Sequence, residues 1–248
     1  MPLDPATEEE AADSSTSTDG ITTIKTFPFP SEYSYLGDVA YDSASDTVWT
    51  FAGDSNSLDT LLQIDLQDGS VLNSADNPSF FLNHGSEVAF DGEYLWATTY
   101  GSSNGESQSY IFKLDTSGNI LEQIPCPSTD TGGYCEGLAW DGQYLWTGAS
   151  DNKSLVRYDP STGETTAYEN FWDTIGYGID IGYDFVSGQL LVKKDGKFIY
   201  IDSQSVEILY EERYDGSISK GDWTGELFWF ADTWKLMMTN VLLDPATE

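Results

Sequence analysis

Asp38, Glu87 and Asp180 occupy one position in three copies of a short sequence pattern. Glu136 stands one residue ahead of that position in a fourth copy, where Gly137 holds the place, and Lys220 falls near it in a fifth, weaker copy. Repeats arranged around an axis would bring these carboxylates together, and carboxylates gathered in one place repel. Either some take up protons, which suits acid–base chemistry, or a hard cation sits among them. Ca2+ prefers carboxylate and carbonyl oxygens. The expected cofactor is therefore Ca2+, held by Asp38, Glu87, Asp180 and Glu136, in preference to an empty solvated ring. The one histidine, His84, lies three residues before Glu87. It is a candidate ligand-binding or catalytic side chain, although a lone His more commonly serves structure. An enzymatic alternative would use Glu136, Glu87 and His84.

Other chemistries have no residues to carry them. With one His and no GxSxG, no Ser-His-Asp arrangement can be built, and no Gly-rich phosphate loop is present. Ten basic residues against 42 acidic ones give a formal charge of −32. Phosphate binding needs Lys and Arg, so a nucleic-acid partner is not expected. The same charge keeps a chain soluble and self-repelling; salt or divalent cations would relieve it. Aromatic residues cluster ahead of the repeated pattern. Most should pack beneath loops, with Tyr134 and Trp172 as the rings expected to be exposed for stacking on a ligand.

The elements that must position these side chains are strands. Ser86-Glu-Val-Ala-Phe-Asp-Gly-Glu-Tyr-Leu-Trp96 aligns with Glu136-Gly-Leu-Ala-Trp-Asp-Gly-Gln-Tyr-Leu-Trp146. Gly37–Asp42 and Ile179–Asp184 open two further copies, and Gly225–Trp229 a fifth. Each copy leads to an alternating strand that ends in Asp and a turn, at Asp65, Asp115, Asp159, Asp202 and Asp244. Period-two alternation around turn residues reads as hairpins. Four short strands per unit, repeated radially, make a β-propeller. The expected fold is all-β, a five-bladed β-propeller of four-stranded blades spanning 20–248. Trp49, Trp96, Trp146 and Trp229 are then core between blades.

The fifth unit lacks an outer strand, and Ile21–Phe27 resembles the outer strand of the second unit. An N-terminal strand at about 21–27 is therefore expected to complete the last blade. Residues 1–19, acidic and Ser/Thr-rich, read as a flexible linker. The hexapeptide Leu-Asp-Pro-Ala-Thr-Glu occurs at Leu3–Glu8 and again at Leu243–Glu248. It admits two origins: one module of a tandem array, or a local duplication.

The repeated units and the Asp-Pro-Ser-Thr-Gly turn at 159–163 resemble propellers of the NHL, YncE-like and glutaminyl-cyclotransferase-like type over about residues 20–244. The blade count resembles plant-type glutaminyl cyclotransferases, which carry Phe-Thr-Gln-Gly-Leu before a blade. Here the corresponding string is Tyr134-Cys-Glu-Gly-Leu138, which keeps only the last two residues and a related acidic one.

Cys126 and Cys135 lie nine residues apart around a Pro/Ser/Thr/Gly loop. The spacing is not CxxC. A disulfide is expected, with two separate thiols as the other reading, and a disulfide implies an oxidising compartment. No apolar run reaches the length of a membrane helix, and no signal peptide follows Met1, so an extracellular or cell-surface location would require a leader already removed. Together these features favour a non-catalytic extracellular module for binding or self-assembly. Its partners would be itself, as tandem or head-to-tail propellers, or an extracellular protein or carbohydrate. The alternative is a metal-dependent hydrolase or glutaminyl-cyclotransferase-like enzyme.

Overall fold

The computed structural model describes residues 17–18, 21–28, 33, 35–53, 60–76, 87–98, 109–126, 135–149, 153–169, 171–172, 179–194, 196–213, 221–223, 228–232 and 237–243. Structural statements below concern these residues. They form strands and turns, without a helix.

Two strands come first, β1 (Ser17–Thr18) and β2 (Ile21–Pro28). Four antiparallel sheets of four strands follow, each laid down in chain order. The first is β3 (Tyr35–Asp42), β4 (Thr47–Gly53), β5 (Thr60–Asp65) and β6 (Val71–Asp76). The second is β7 (Val88–Phe90), β8 (Leu95–Thr98), β9 (Tyr110–Leu114) and β10 (Ile120–Pro125). The third is β11 (Cys135–Trp140), β12 (Leu145–Ala149), β13 (Ser154–Tyr158) and β14 (Thr165–Tyr168). The fourth is β15 (Asp180–Asp184), β16 (Gln189–Lys194), β17 (Lys197–Asp202) and β18 (Ile208–Arg213). The chain ends in β19 (Gly221–Trp223), β20 (Phe228–Asp232) and β21 (Met237–Leu243). These join the first two strands in a sheet ordered β1-β2-β21-β20-β19.

The four regular sheets are propeller blades. The first strands pack in sequence, β3 on β7, β7 on β11 and β11 on β15, and β19 touches both β15 and β3. Burial falls from this inner ring to the rim. Every residue of β4, β8 and β12 is buried, whereas β10 is exposed along most of its length. A strand covered on both faces must be apolar on both, which explains the continuous runs Leu-Trp-Ala-Thr and Leu-Trp-Thr-Gly-Ala. The core accordingly lies between sheets. Trp49 and Phe51 meet Val88, Leu95 and Leu114; Trp96 and Ile111 meet Leu138 and Leu145; Trp146 and Leu155 meet Ile181 and Leu190. The side chain of Trp229 lies outside the described residues.

The turns are built by aspartates. Asp91 Oδ1 accepts the N–H of Glu93 and Tyr94, at 2.9 and 2.6 Å, while Oδ2 accepts the Trp96 indole N–H at 2.8 Å. Asp141 repeats the arrangement with Gln143, Tyr144 and Trp146. Two of the few basic residues then lie over the neighbouring rings: Lys113 Nζ is 3.8 Å from the centre of the Tyr94 ring and 5.1 Å from that of Trp96, and Arg157 Cζ is 4.5 Å from that of Tyr144 and 5.8 Å from that of Trp146. The turns to the outer strands begin at Asp159 and Asp202. Gly163 N–H and Val206 N–H return to the carbonyls of these two residues, each at 2.8 Å. Both Gly163 and Val206 have positive φ, +75° and +59°.

The expectation of five four-stranded blades needs correction. Four sheets have four strands, and the sheet uniting the chain ends has five. The added strand is β1, paired to β2 through Ser17 opposite Thr22 and Thr18 opposite Ile21. It falls inside the stretch 1–19 read as a linker, the rest of which lies outside the described residues. The N-terminal strand expected at 21–27 is observed at Ile21–Pro28, paired with β21.

Candidate metal centre

Asp38, Glu87 and Asp180 converge. One carboxylate oxygen from each lies within 4.8 Å of the others, and all three residues are at most 2% exposed. Asp38 comes from β3, Glu87 immediately precedes β7, and Asp180 opens β15. In the β15–β16 register Lys193 stands opposite Asp180.

Asp38 is held from two sides. Its Oδ1 accepts Val39 N–H at 2.8 Å, and its Oδ2 accepts Val88 N–H of the next blade at 3.2 Å. The same kind of contact recurs around the ring. Glu136 Oε2 accepts Ile179 N–H at 3.2 Å, and Asp222 Oδ2 accepts Tyr41 N–H at 2.9 Å. An innermost strand is an edge, and its outward N–H groups need acceptors. Carboxylates from neighbouring sheets supply them. Near this seam, burial pushes the Tyr41 phenol up to about 12, helped by the charge and hydrogen bond of Asp46 and by Asp42 and Asp222.

Glu136, expected in the same ligand set, is not part of the converging group. The β11–β12 register shifts between Glu136 and Ala139, and Gly137 sits there at φ +69°. A Cβ at Gly137 would lie 2.7 Å from Ile181 Cγ1 and 2.8 Å from its backbone N. The position that carries Asp38, Glu87 and Asp180 in other blades therefore has no room for a side chain here. The carboxylate is carried one residue earlier, by Glu136, and faces Ile179. The β3–β4 register shifts in the same way between Leu36 and Val39, so the bulge is common to both blades and the glycine is what differs.

Asp222 was not singled out by the repeat. Trp229 pairs with Asp222 as Trp49 does with Ala40, Trp96 with Ala89 and Trp146 with Ala139. An Asp in a column otherwise occupied by Ala or, at Gly182, by Gly was the available signal. The same register counts the Asp38 position onto Lys220, which lies outside the described residues.

His84 and Tyr134 also lie outside the described residues. Trp172, expected to be exposed for stacking, is instead buried at 4% exposure. It packs in the core cluster with Trp146, Leu155 and Ile179, its ring edge-on to Phe171 at 4.7 Å, and its backbone N–H donates to Lys153 O at 3.0 Å. Cys126 and Cys135 form a buried disulfide. It joins the end of β10 to the start of β11, one residue before Glu136.

No protein-family model and no curated protein matches the sequence. Solved structures match in fold. Glutaminyl cyclase from Myxococcus xanthus superposes with a TM-score of 0.61 at 12% identity, over 90% of this chain and 96% of that one. A chain of a nidogen/laminin complex gives 0.56 at 12% identity, over 81% and 73%. A protein of unknown function from Bacteroides thetaiotaomicron gives 0.55 at 11% identity, over 88% and 72%. By structure, the chain has a β-propeller fold.

Proposed function

We propose that this chain is a non-catalytic, cation-stabilised propeller module for binding or assembly outside the cell, with the five-stranded sheet serving as the fifth blade that closes the ring. The observation that carries this reading is the convergence of Asp38, Glu87 and Asp180 within 4.8 Å in a buried place. Three carboxylates so close and so buried repel, and a cation among them offsets that repulsion. Ca2+ binds oxygens at about 2.3–2.6 Å, so its ligands span at most about 4.6–5.2 Å across the ion. Mg2+, at about 2.0–2.1 Å, would span only about 4.2 Å. The spacing accommodates Ca2+, with carbonyls and water completing the shell.

The carboxylates also serve the ring itself. Both oxygens of Asp38 accept backbone N–H groups, and Glu136 is committed to Ile179. That use favours a structural centre over an acid–base pair. The Cys126–Cys135 disulfide supports an oxidising compartment. Among the described residues no helix is long and apolar enough to cross a membrane. The partner would be another copy of the chain or an extracellular protein or carbohydrate.

The test is calorimetric titration of chelator-treated protein with CaCl2, read alongside its melting temperature. Saturable Ca2+ uptake with a rise in melting temperature is expected, about 2.7 kcal/mol of stabilisation at a hundredfold excess over Kd. Glu87→Gln should abolish both. No uptake by the wild type would overturn the cation and leave protons or lysines as the compensating charge. Turnover of an N-terminal glutaminyl peptide, lost in Glu136→Gln, would replace this reading with the enzymatic one.

A further inference from the structure

β2 is shared between the first sheet and the last. Along its length it pairs antiparallel with β21, from Ile21 opposite Leu243 to Pro28 opposite Met237. Near its end Phe27, 8% exposed, packs on Val39, Val48, Leu62, Ile64 and Leu66 of the first blade. A Cβ at Gly69 would lie 2.7 Å from the Phe27 ring, so the fit there is close. Side-chain packing thus fixes β2 to β3–β6. Its pairing with β21 joins strands that the backbone connects only through the whole intervening chain. In the four regular blades the corresponding third and fourth strands are linked by a short turn.

The sequence marks this seam. Leu243, the last residue of β21, opens the second Leu-Asp-Pro-Ala-Thr-Glu, and the first copy lies upstream of β1 and β2. Asp4-Pro5 and Asp244-Pro245 match Asp159-Pro160, which opens the turn from β13 to β14. Both copies therefore carry the signature of a turn from a third strand to an outer strand. One follows the strand that needs a partner; the other precedes the strand that supplies it.

We infer that the position beside β21 accepts β2 either from the same chain or from a second copy, so that β19–β21 of one molecule seat on β2 and the first blade of another. This deepens the assembly half of the function proposed above and is independent of the cation. The backbone pairing and the Phe27 contact are the same in both arrangements, as in domain swapping. The choice then falls to protein concentration and to repulsion between chains of formal charge −32, which salt screens.

Thr26 and Thr239 are Cα partners across the seam, which defines the experiment. Full-length Thr26→Cys and mass-tagged Thr239→Cys chains are mixed, unfolded without reductant, refolded together and oxidised, with and without calcium chelator. A 26-to-239 disulfide-linked heterodimer is expected. Its yield should rise about tenfold for a tenfold rise in protein concentration while far from saturation, and rise again in molar salt. The chain carrying both substitutions should close on itself when dilute. If that double variant closes internally while the mixture yields no heterodimer at any concentration, the inference is overturned. If neither forms a crosslink, the pairing of β2 with β21 is itself refuted. Loss of the heterodimer only with chelator would couple exchange to the cation and overturn its independence.

Discussion

Asp38 accepts the backbone N–H of Val88 at 3.2 Å, across 50 residues of sequence and from one blade to the next. With the Glu136–Ile179 and Asp222–Tyr41 contacts, it makes the inner ring a set of sheets clasped by carboxylates. The same Asp38 belongs to the converging acidic group, so its two roles can be separated by mutation. Asp38→Ala should lower stability in chelator by about 3 kcal/mol, because charged hydrogen bonds are lost from a buried place. Glu87→Gln should behave differently. In chelator it relieves repulsion and raises the melting temperature; in CaCl2 it removes a ligand and lowers it relative to wild type. Urea and thermal denaturation in both buffers check the sign change, and the same sign in both would remove the cation from the account.

Gly137→Ala should be severely destabilising. Its positive φ alone costs an L-residue about 1–2 kcal/mol, and the new methyl group would press on the Ile181 backbone. Gly163→Ala shares the positive φ but meets nothing within 4 Å. It should cost only the conformational part, so the difference in urea midpoint between the two variants measures the collision.

Val206 offers the opposite experiment. It holds the turn position that Gly163 fills in the third blade, at φ +59°, an uncommon conformation for a β-branched residue. Part of its side chain packs on the core between the third and fourth blades. Val206→Gly should raise stability by about 1 kcal/mol net. A fall in melting temperature would mean that packing outweighs the backbone.

The tryptophans should separate by their indole partners. Trp96 donates to Asp91, whereas the buried Trp49 Nε1 has no acceptor among the described residues. Trp49 lies seven positions after Asp42, whereas Trp96 lies five after Asp91, and Asp42 bonds Ala44 and Ser45 instead. Trp96→Phe should therefore cost about 1–2 kcal/mol more than Trp49→Phe, as judged by chemical denaturation. Equal costs would show that the Asp91 bond adds nothing.

Acid should expose the turn aspartates. The Asn119 amide holds the Asp115 carboxyl below its ordinary value of 3.8. The Ser161 hydroxyl does the same for Asp159, and the Ser205 backbone N–H for Asp202. A carboxyl lowered in the folded state contributes stability above its unfolded value and loses it as pH falls through the folded one. The loss should therefore appear below pH 3.8. Relief of the overall negative charge runs the other way. The comparison is thus between wild type and a triple Asp→Asn variant, which should be less stable at pH 7 and flatter below pH 4. Parallel curves for the two proteins would contradict the assignment.

What the sequence made readable followed the repeat. Three carboxylates at one repeat position are neighbours in space because radial blades superpose equivalent residues, and Trp49, Trp96 and Trp146 are buried between sheets for the same reason. The disulfide followed from two cysteines around a short loop. Glu136 escaped because it stands one residue off the shared position, which Gly137 fills for lack of room for a Cβ, and its carboxylate accepts from Ile179 N–H instead. Trp172 escaped because it lies in a segment between blades whose contacts with Trp146 and Ile179 leave no periodic trace. Alternation described the strands well, but the two-residue β1 is too short to carry a period.

The seam between β2 and β21 also sets a timetable. The ribosome makes β2 among the earliest strands and β21 as the last described one. At about 5–20 residues per second, roughly 10–40 s separate the two. Throughout that interval β2 has no β21 of its own chain beside it, and no amount of local hairpin formation can supply one. Pairing of β2 with β21 is then the most non-local strand pairing among the described residues, and until it forms β2 presents a bare strand edge.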